Sequence, residues 1–95
     1  MSTHICIEDY RTRIDHPTWI GIKWDEFLNA LDNTSVEWNN WNVPEQYDND
    51  EPSRRPIDID LFETQMGQYV HNTVMLSDMC NILRSDEYWA IYYSF

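Results

Sequence analysis

The stretch from Pro56 to Arg84 carries more periodic apolar surface than any other part of the chain. Apolar side chains recur there at three- and four-residue steps, which places them on one face of a helix. Arg55-Pro56 marks the predicted start, since proline fits the first turn. A second apolar stripe follows a break at His71-Asn72, with Ser77 as its predicted N-cap. The two stripes consist of Ile59, Phe62, Met66, Tyr69, Val70 and Thr73, then Met79, Ile82 and Leu83.

Residues Trp19–Asp32 form another predicted helix, because their apolar residues also follow the helical repeat. Gly21 weakens the first turn, so the helix is expected to begin near Lys23. Residues 36–44 are predicted to be an ordered loop or a short helical turn held by tryptophans, since disordered segments are poor in aromatic residues. Residues 45–55 are predicted to be an exposed and mobile acidic loop.

The C-terminal segment has two alternative interpretations. Ser85-Asp86-Glu87 favours the start of a last helix, whereas residues 88–93 also have high strand propensity and could pair with residues 4–7. Only two glycines occur in 95 residues, which disfavours a fold with many tight hairpins. The sequence therefore predicts a single mainly α domain, a small helical bundle. The alternative is an α+β fold, with 4–7 and 88–93 as a short strand pair packed on the helices.

The charge balance predicts the kind of partner. Seventeen Asp and Glu residues stand against six Lys and Arg, which gives a net charge of −11. Such a protein repels nucleic acid and anionic membranes and attracts basic surfaces. Because proteins that bind nucleic acid carry strongly basic surfaces, the expected partner is a basic nucleic-acid-binding protein, with no direct binding to nucleic acid or membrane. The alternative interpretation is that the acidity only keeps the protein soluble.

Acidic residues concentrate between Lys23 and Arg54, where no basic residue occurs. Their spacing suits phosphate mimicry, since alternate residues of an extended chain lie about 6.6 Å apart and residues four apart on a helix rise about 6 Å. Interleaved aromatic residues can anchor a partner. The alternative is a solvated acidic face over buried tryptophans. The predicted partner-binding residues are Asp25, Glu26, Asp32, Glu37, Trp38, Trp41, Glu45, Tyr47, Asp48, Asp50 and Glu51.

The sequence offers little for catalysis or cofactor binding. Its three histidines lack zinc-ligand spacing, and its two glycines make no phosphate-binding loop. Its two cysteines have no neighbouring base to lower their pKa. The acids at 48–51 lack the glycine and the spacing of a calcium loop, and Asp58 with Asp60 are predicted to be first-turn helix acids. We therefore expect no enzymatic activity, no metal and no cofactor.

These features together predict a small inhibitor protein. Because neither a signal peptide nor a membrane span is visible, the expected location is the cytoplasm. It would block a nucleic-acid-binding protein by occupying the basic groove as a DNA or phosphate mimic. Phage counter-defence proteins of the anti-restriction or anti-CRISPR type fit this description. The alternative is an adaptor or immunity-type protein that binds a basic partner through Trp and Tyr hot spots without mimicry. Competition with DNA for one surface would separate the two.

Overall fold

A computed structural model describes residues 4–41 and 53–94. Its centre is one five-stranded antiparallel sheet with the strand order β2-β1-β5-β4-β3. The N-terminal and C-terminal strands are therefore neighbours inside the sheet. The elements are β1 (His4–Asp9), β2 (Ile14–Asp15), α1 (Trp24–Asp32), β3 (Trp38–Trp41), β4 (Ser53–Pro56), α2 (Ile59–Met66), α3 (Thr73–Ser85) and β5 (Trp89–Ser94).

The prediction of a mainly α bundle is wrong, because the chain adopts an α+β fold. The C-terminal segment is strand β5 rather than a helix, and it pairs with β1 from His4 opposite Ser94 to Asp9 opposite Trp89. This is the strand pair of the alternative interpretation, within a larger sheet. The neighbours Ala90 and Ile91 are both buried, although consecutive strand residues point to opposite faces. A central strand covered on both faces accounts for that pattern.

The scarcity of glycine did not prevent hairpins, because the turn between β1 and β2 uses another residue. Arg13 there has a φ of 61°, in the left-handed region that glycine usually occupies. The backbone N–H groups of Thr12 and Arg13 both bond to the carbonyl of Asp9. Strands β3 and β5 each follow a helix, and β4 follows the 42–52 connection. Few glycines are therefore compatible with five strands here, because most of the connections between them are not short hairpin turns.

The helices lie close to their predicted positions, with different ends. Helix α1 begins at Trp24, as the weak first turn at Gly21 indicated. The long predicted helix stops at Met66, and α3 begins again at Thr73. Its N-cap is Asn72 rather than Ser77. The side-chain oxygen of Asn72 accepts the N–H of Met75 at 3.1 Å, which satisfies a donor that the helix itself leaves free.

The middle of the chain differs from the prediction where the structure describes it. The segment 36–44, predicted to be a loop or helical turn, contains β3 instead, and β3 pairs with β4. Residues 53–55 of the predicted mobile loop belong to β4. The rest of that loop, residues 45–52, lies outside the described residues. The β3–β4 connection spans residues 42–52.

All three helices pack on one face of the sheet. Their buried side chains form a single cluster with Ile5, Ile7 and Ile91, which define the core face. Residues at alternate positions, including Cys6, Glu8 and Tyr92, define the outer face. The helices contribute the fully buried side chains of Phe27, Ala30, Phe62, Met66, Leu76, Met79, Cys80 and Leu83.

Candidate functional site

A cleft with apolar and acidic walls lies between the segment after α1 and the N-terminus of α2. Its volume is about 320 Å³. Ile57 and Leu61 are its most exposed apolar side chains, at 57% and 42%. Glu37 and Asp58 are exposed carboxylates in the same cleft. The full lining is Ser35, Val36, Glu37, Ile57, Asp58 and Leu61.

The β3–β4 ladder brings the two walls of this cleft together. Trp38 pairs with Pro56, and one residue further out the N–H of Ile57 donates to the carbonyl of Glu37 at 3.0 Å. The chain then enters α2, where the Asp58 carboxylate accepts the N–H of Leu61 at 3.0 Å. An N-cap bond of this kind fixes the side chain of Asp58 as well as the helix start.

Helix α2 also holds the opposite wall. The N–H of Ser35 donates to the side-chain oxygen of Gln65 at 2.9 Å, and the Gln65 amide lies 3.3 Å from the Ser35 hydroxyl. Val36 packs against the core cluster from the same segment. Both walls of the cleft are therefore tied to α2.

Ile57 and Asp58 also line a second, wider cleft of about 510 Å³, with Asp60 and Arg84 among its walls. Ile57 and Asp58 are therefore shared by the two clefts. The Arg84 guanidinium lies 2.6 Å from Glu63 and 2.7 Å from Asp60. These two carboxylates hold the pKa of Arg84 above its ordinary value, so its positive charge is compensated within the chain. We call Glu37, Ile57, Asp58, Asp60 and Leu61 the acidic cleft surface.

Other arginines are also held by groups of the chain. Arg11 pairs with Asp9 at 2.8 Å and lies 3.3 Å from the centre of the Tyr88 ring. The hydrogen bond from Arg11 holds the pKa of Asp9 below its ordinary value. Arg55 donates to the backbone carbonyls of Asp86 and Trp89, at 3.1 and 2.9 Å. In each case groups of the chain itself engage the guanidinium.

A buried polar cluster on the outer face holds a further arginine. Glu8 is 1% exposed and Ser53 is fully buried. The Arg13 guanidinium lies 3.0 Å from the Glu8 carboxylate and donates to the Ser53 hydroxyl at 3.3 Å. The Ser53 hydroxyl in turn donates to Glu8. This cluster connects the β1–β2 hairpin to β4 across β5. Because Ser53 is buried within it, we interpret the serine as structural rather than reactive.

The predicted partner-binding residues occupy several different places. Asp25, Asp32 and Glu37 are exposed, but only Glu37 belongs to the acidic cleft surface. Glu26 is half-buried, and its carboxylate accepts the N–H of His71, which ties α1 to the segment before α3. Its position therefore has a structural explanation.

The aromatic anchors of the prediction are placed differently again. Trp38 is half-buried and packs edge-on against Phe62, with ring centroids 5.3 Å apart. Its ring belongs to the core packing rather than to an exposed anchor. The side chain of Trp41 lies outside the described residues. So do Glu45, Tyr47, Asp48, Asp50 and Glu51.

Sequence reasoning missed the apolar part of the acidic cleft surface. Ile57 precedes α2, and Leu61 lies on the side of α2 away from the buried Phe62 and Met66. The available signal was Leu61 itself, two residues after Ile59 and therefore about 200° around the helix from it. This was a weak clue, because single exposed apolar residues are common on protein surfaces. Nothing in the sequence next to Ile57 indicated that it would line a cleft with Glu37.

A second exposed feature is Trp19, whose side chain is 74% exposed. Its ring lies over Gly21, where an added Cβ would come within 2.8 Å of a ring carbon. Clefts of about 310 and 280 Å³ lie on its two sides. Cys6 lines the larger one, and burial raises the pKa of its thiol. This surface carries fewer acidic residues than the acidic cleft surface.

Residues 4–41 and 53–94 contain neither a metal-ligand cluster nor a membrane-spanning helix. Within these ranges, no three His, Cys, Asp or Glu side chains are grouped so that they could hold a metal ion. No helix there has the length and apolar character needed to cross a membrane. Comparison of the whole chain with known proteins gives no family: no protein-family model, curated protein or solved structure matches it.

Proposed function

We propose that this protein inhibits a nucleic-acid-binding protein by occupying its basic groove. The observation that carries the proposal is the distribution of charge over the folded chain. Nine acidic side chains of the described residues are exposed, whereas the arginines are engaged within the molecule. The exposed acids are Asp15, Asp25, Asp32, Glu37, Asp58, Asp60, Asp78, Asp86 and Glu87.

This distribution gives the net charge of −11 a physical consequence. Arg11, Arg55 and Arg84 each contact carboxylates or carbonyls of the chain itself. An approaching molecule therefore meets carboxylates with little opposing positive charge. Such a field attracts basic surfaces at long range and increases the rate of association with them. A groove that binds phosphates is a surface of this kind.

The test requires the native partner. Affinity capture from the native host identifies candidates, and each purified candidate is then bound to a labelled DNA or RNA duplex. We expect addition of this protein to release the duplex, without binding the duplex itself. Inhibition should weaken with salt, because the Debye length shortens from about 10 Å at 0.1 M to about 3 Å at 1 M. A stable ternary complex of partner, duplex and inhibitor would contradict the proposal.

Two variants with equal charge separate a defined surface from general acidity. Glu37→Gln with Asp60→Asn removes two charges that line the two clefts, and Asp78→Asn with Glu87→Gln removes two charges elsewhere. We expect the first pair to slow association more than the second, since charge acts most strongly near the contact. Equal effects of the two pairs would show that only the net charge matters.

The exposed apolar residues favour a second candidate function, that of an adaptor or immunity-type protein bound through apolar contacts. Trp19 and Ile57 are both well exposed, and such residues can provide most of the binding energy of an interface. The same competition experiment separates the two functions. An adaptor leaves the duplex bound to the partner, whereas a groove-occupying inhibitor releases it.

A further inference from the structure

We propose that the acidic cleft surface docks a basic amphipathic helix of the partner. In this arrangement an aliphatic side chain of the helix sits between Ile57 and Leu61, and lysines or arginines on either side of it meet Glu37, Asp58 and Asp60. The inference rests on the proposed function only in taking the partner to be basic. It adds the place of docking and the pattern of residues that fits there.

Ile57 and Leu61 provide the apolar part of the docking site. Single exposed apolar side chains are common on protein surfaces, but Ile57 and Leu61 line the same cleft of about 320 Å³. Ile57 also lines the adjoining cleft, so its exposed side chain can be reached from both. A partner side chain placed beside Ile57 would remove apolar surface on both molecules from water. Helix-in-groove recognition uses contacts of this kind.

The charges of the acidic cleft surface complement those of a basic helix. Glu37 and Asp58 line the cleft, and Asp60 lines the adjoining one. Arg84 is the basic residue there, and it already contacts Asp60 and Glu63. A segment with acidic residues beside its aliphatic contact would be repelled, and an uncharged one would lack the attraction. The surface therefore selects lysine or arginine next to the aliphatic side chain.

Hydrogen bonds preorganise the acidic cleft surface. Asp58 is held by its bond to the N–H of Leu61, and the backbone of Ile57 is bonded to that of Glu37. Ser35 on the far wall is bonded to Gln65 of α2. A surface already fixed in this way loses little conformational freedom on binding, which favours affinity for a given contact area.

The test uses a synthetic amphipathic helical peptide of leucine and lysine, titrated into the ¹⁵N-labelled full chain. Two control peptides replace its leucines by alanine or its lysines by glutamate. We expect amide shifts to concentrate at residues 35–37 and 57–61 with the leucine–lysine peptide. The alanine peptide should bind much more weakly, and the glutamate peptide should not bind.

Matched variants test the apolar contact itself. Ile57→Ser should weaken binding of the leucine–lysine peptide by about tenfold, which corresponds to about 1.4 kcal/mol. Val74→Ser, at a side chain that is 69% exposed on α3, should leave binding unchanged. Leu61→Gln provides a second test of the cleft, and the amide spectrum of each variant shows whether it is folded. Glu37→Gln should weaken binding mainly at low salt, whereas Asp78→Asn should have little effect.

Several outcomes would overturn the docking site. These are shifts spread over all exposed acids, shifts centred on Trp19, equal binding of the leucine and alanine peptides, or equal effects of Ile57→Ser and Val74→Ser. The two proposals fail separately. If the partner keeps its duplex while the peptide still binds at residues 57–61, only the proposed function is refuted. If the Ile57→Ser and Leu61→Gln variants both inhibit the partner as well as the parent chain does, only the docking site is refuted.

Discussion

Replacement of Arg13 by alanine tests most directly how the outer face is held together. The Arg13 guanidinium lies 3.0 Å from the carboxylate of Glu8 and also contacts the Ser53 hydroxyl. Glu8 is 1% exposed, so Arg13→Ala leaves a buried carboxylate without that positive charge. The hydroxyl of Ser53 remains as a donor but carries no charge. We therefore expect Arg13→Ala to destabilise the fold strongly.

The expected magnitude follows from the burial of the two partners. Removal of one member of a buried ion pair costs about 3–5 kcal/mol. The Arg13 side chain is 15% exposed, so partial hydration places the expected loss near the lower end, at about 3 kcal/mol. The backbone adds a second effect, because Arg13 has a φ of 61°. Arg13→Gly relieves that strain, and it should therefore be more stable than Arg13→Ala by about 1 kcal/mol.

The assay is chemical denaturation of the parent, Glu8→Gln, Arg13→Ala and the double variant. A neutral glutamine no longer needs the arginine, so the double variant should lose less than the sum of the single losses. We expect a coupling free energy of at least about 1 kcal/mol. Additivity within about 0.5 kcal/mol would refute the reasoning. Arg11→Ala is the control, and it should cost little because that hairpin arginine is exposed.

Three further predictions concern a helix cap, a close contact and a buried thiol. Asn72→Ala removes the α3 cap and should cost about 1 kcal/mol of unfolding free energy in denaturation experiments, whereas Asn29→Ala should not. Gly21→Ala pushes on the exposed ring of Trp19, so the indole N–H resonance should move while stability changes by no more than about 0.5 kcal/mol; a much larger loss would show that the ring is held rigidly. Burial raises the pKa of Cys80 from 9.0 to about 12, so the unfolded chain loses this proton first and the free energy of unfolding should fall as pH rises from 9.0 towards 12. Denaturation midpoints across this range check the prediction, and an unchanged midpoint would contradict it.

The helices could be predicted because their signals are local. Apolar spacing within one segment indicated α1, and the glycine at position 21 indicated its late start. The strands gave weaker signals, because β1 and β5 lie at opposite ends of the chain. Their pairing depends on which other strands are available, a property of the whole chain. Ala90 and Ile91 are both buried, so β5 lacks the alternation that marks a half-exposed strand.

The candidate site also combines residues that the sequence indicated with residues that it did not. Glu37 was predicted from charge alone, since acidic residues can be counted along the chain. The Ile57 cleft was not predicted, because Ile57 meets Glu37 only through the register of β3 and β4. The two strands are separated by the 42–52 connection, so their pairing is not a local feature of the sequence. Leu61 was the one locally visible clue, as an apolar residue outside the buried stripe of α2.

The position of the arginines determines which acids a partner can use. Arg13 reaches Ser53, Arg55 reaches Trp89, and Arg84 reaches Asp60, so each ties together segments that are distant in sequence. A partner that competed for those same groups would have to break a structural contact. Asp60 is in that position, because Arg84 already donates to it at 2.7 Å. Glu37 is exposed on the other wall of the cleft, where a basic side chain of the partner can pair with its carboxylate more directly. Within the acidic cleft surface, we therefore expect Glu37→Gln to weaken binding of the leucine–lysine peptide more than Asp60→Asn; the reverse order would mean that Arg84 yields its partner to the incoming cation.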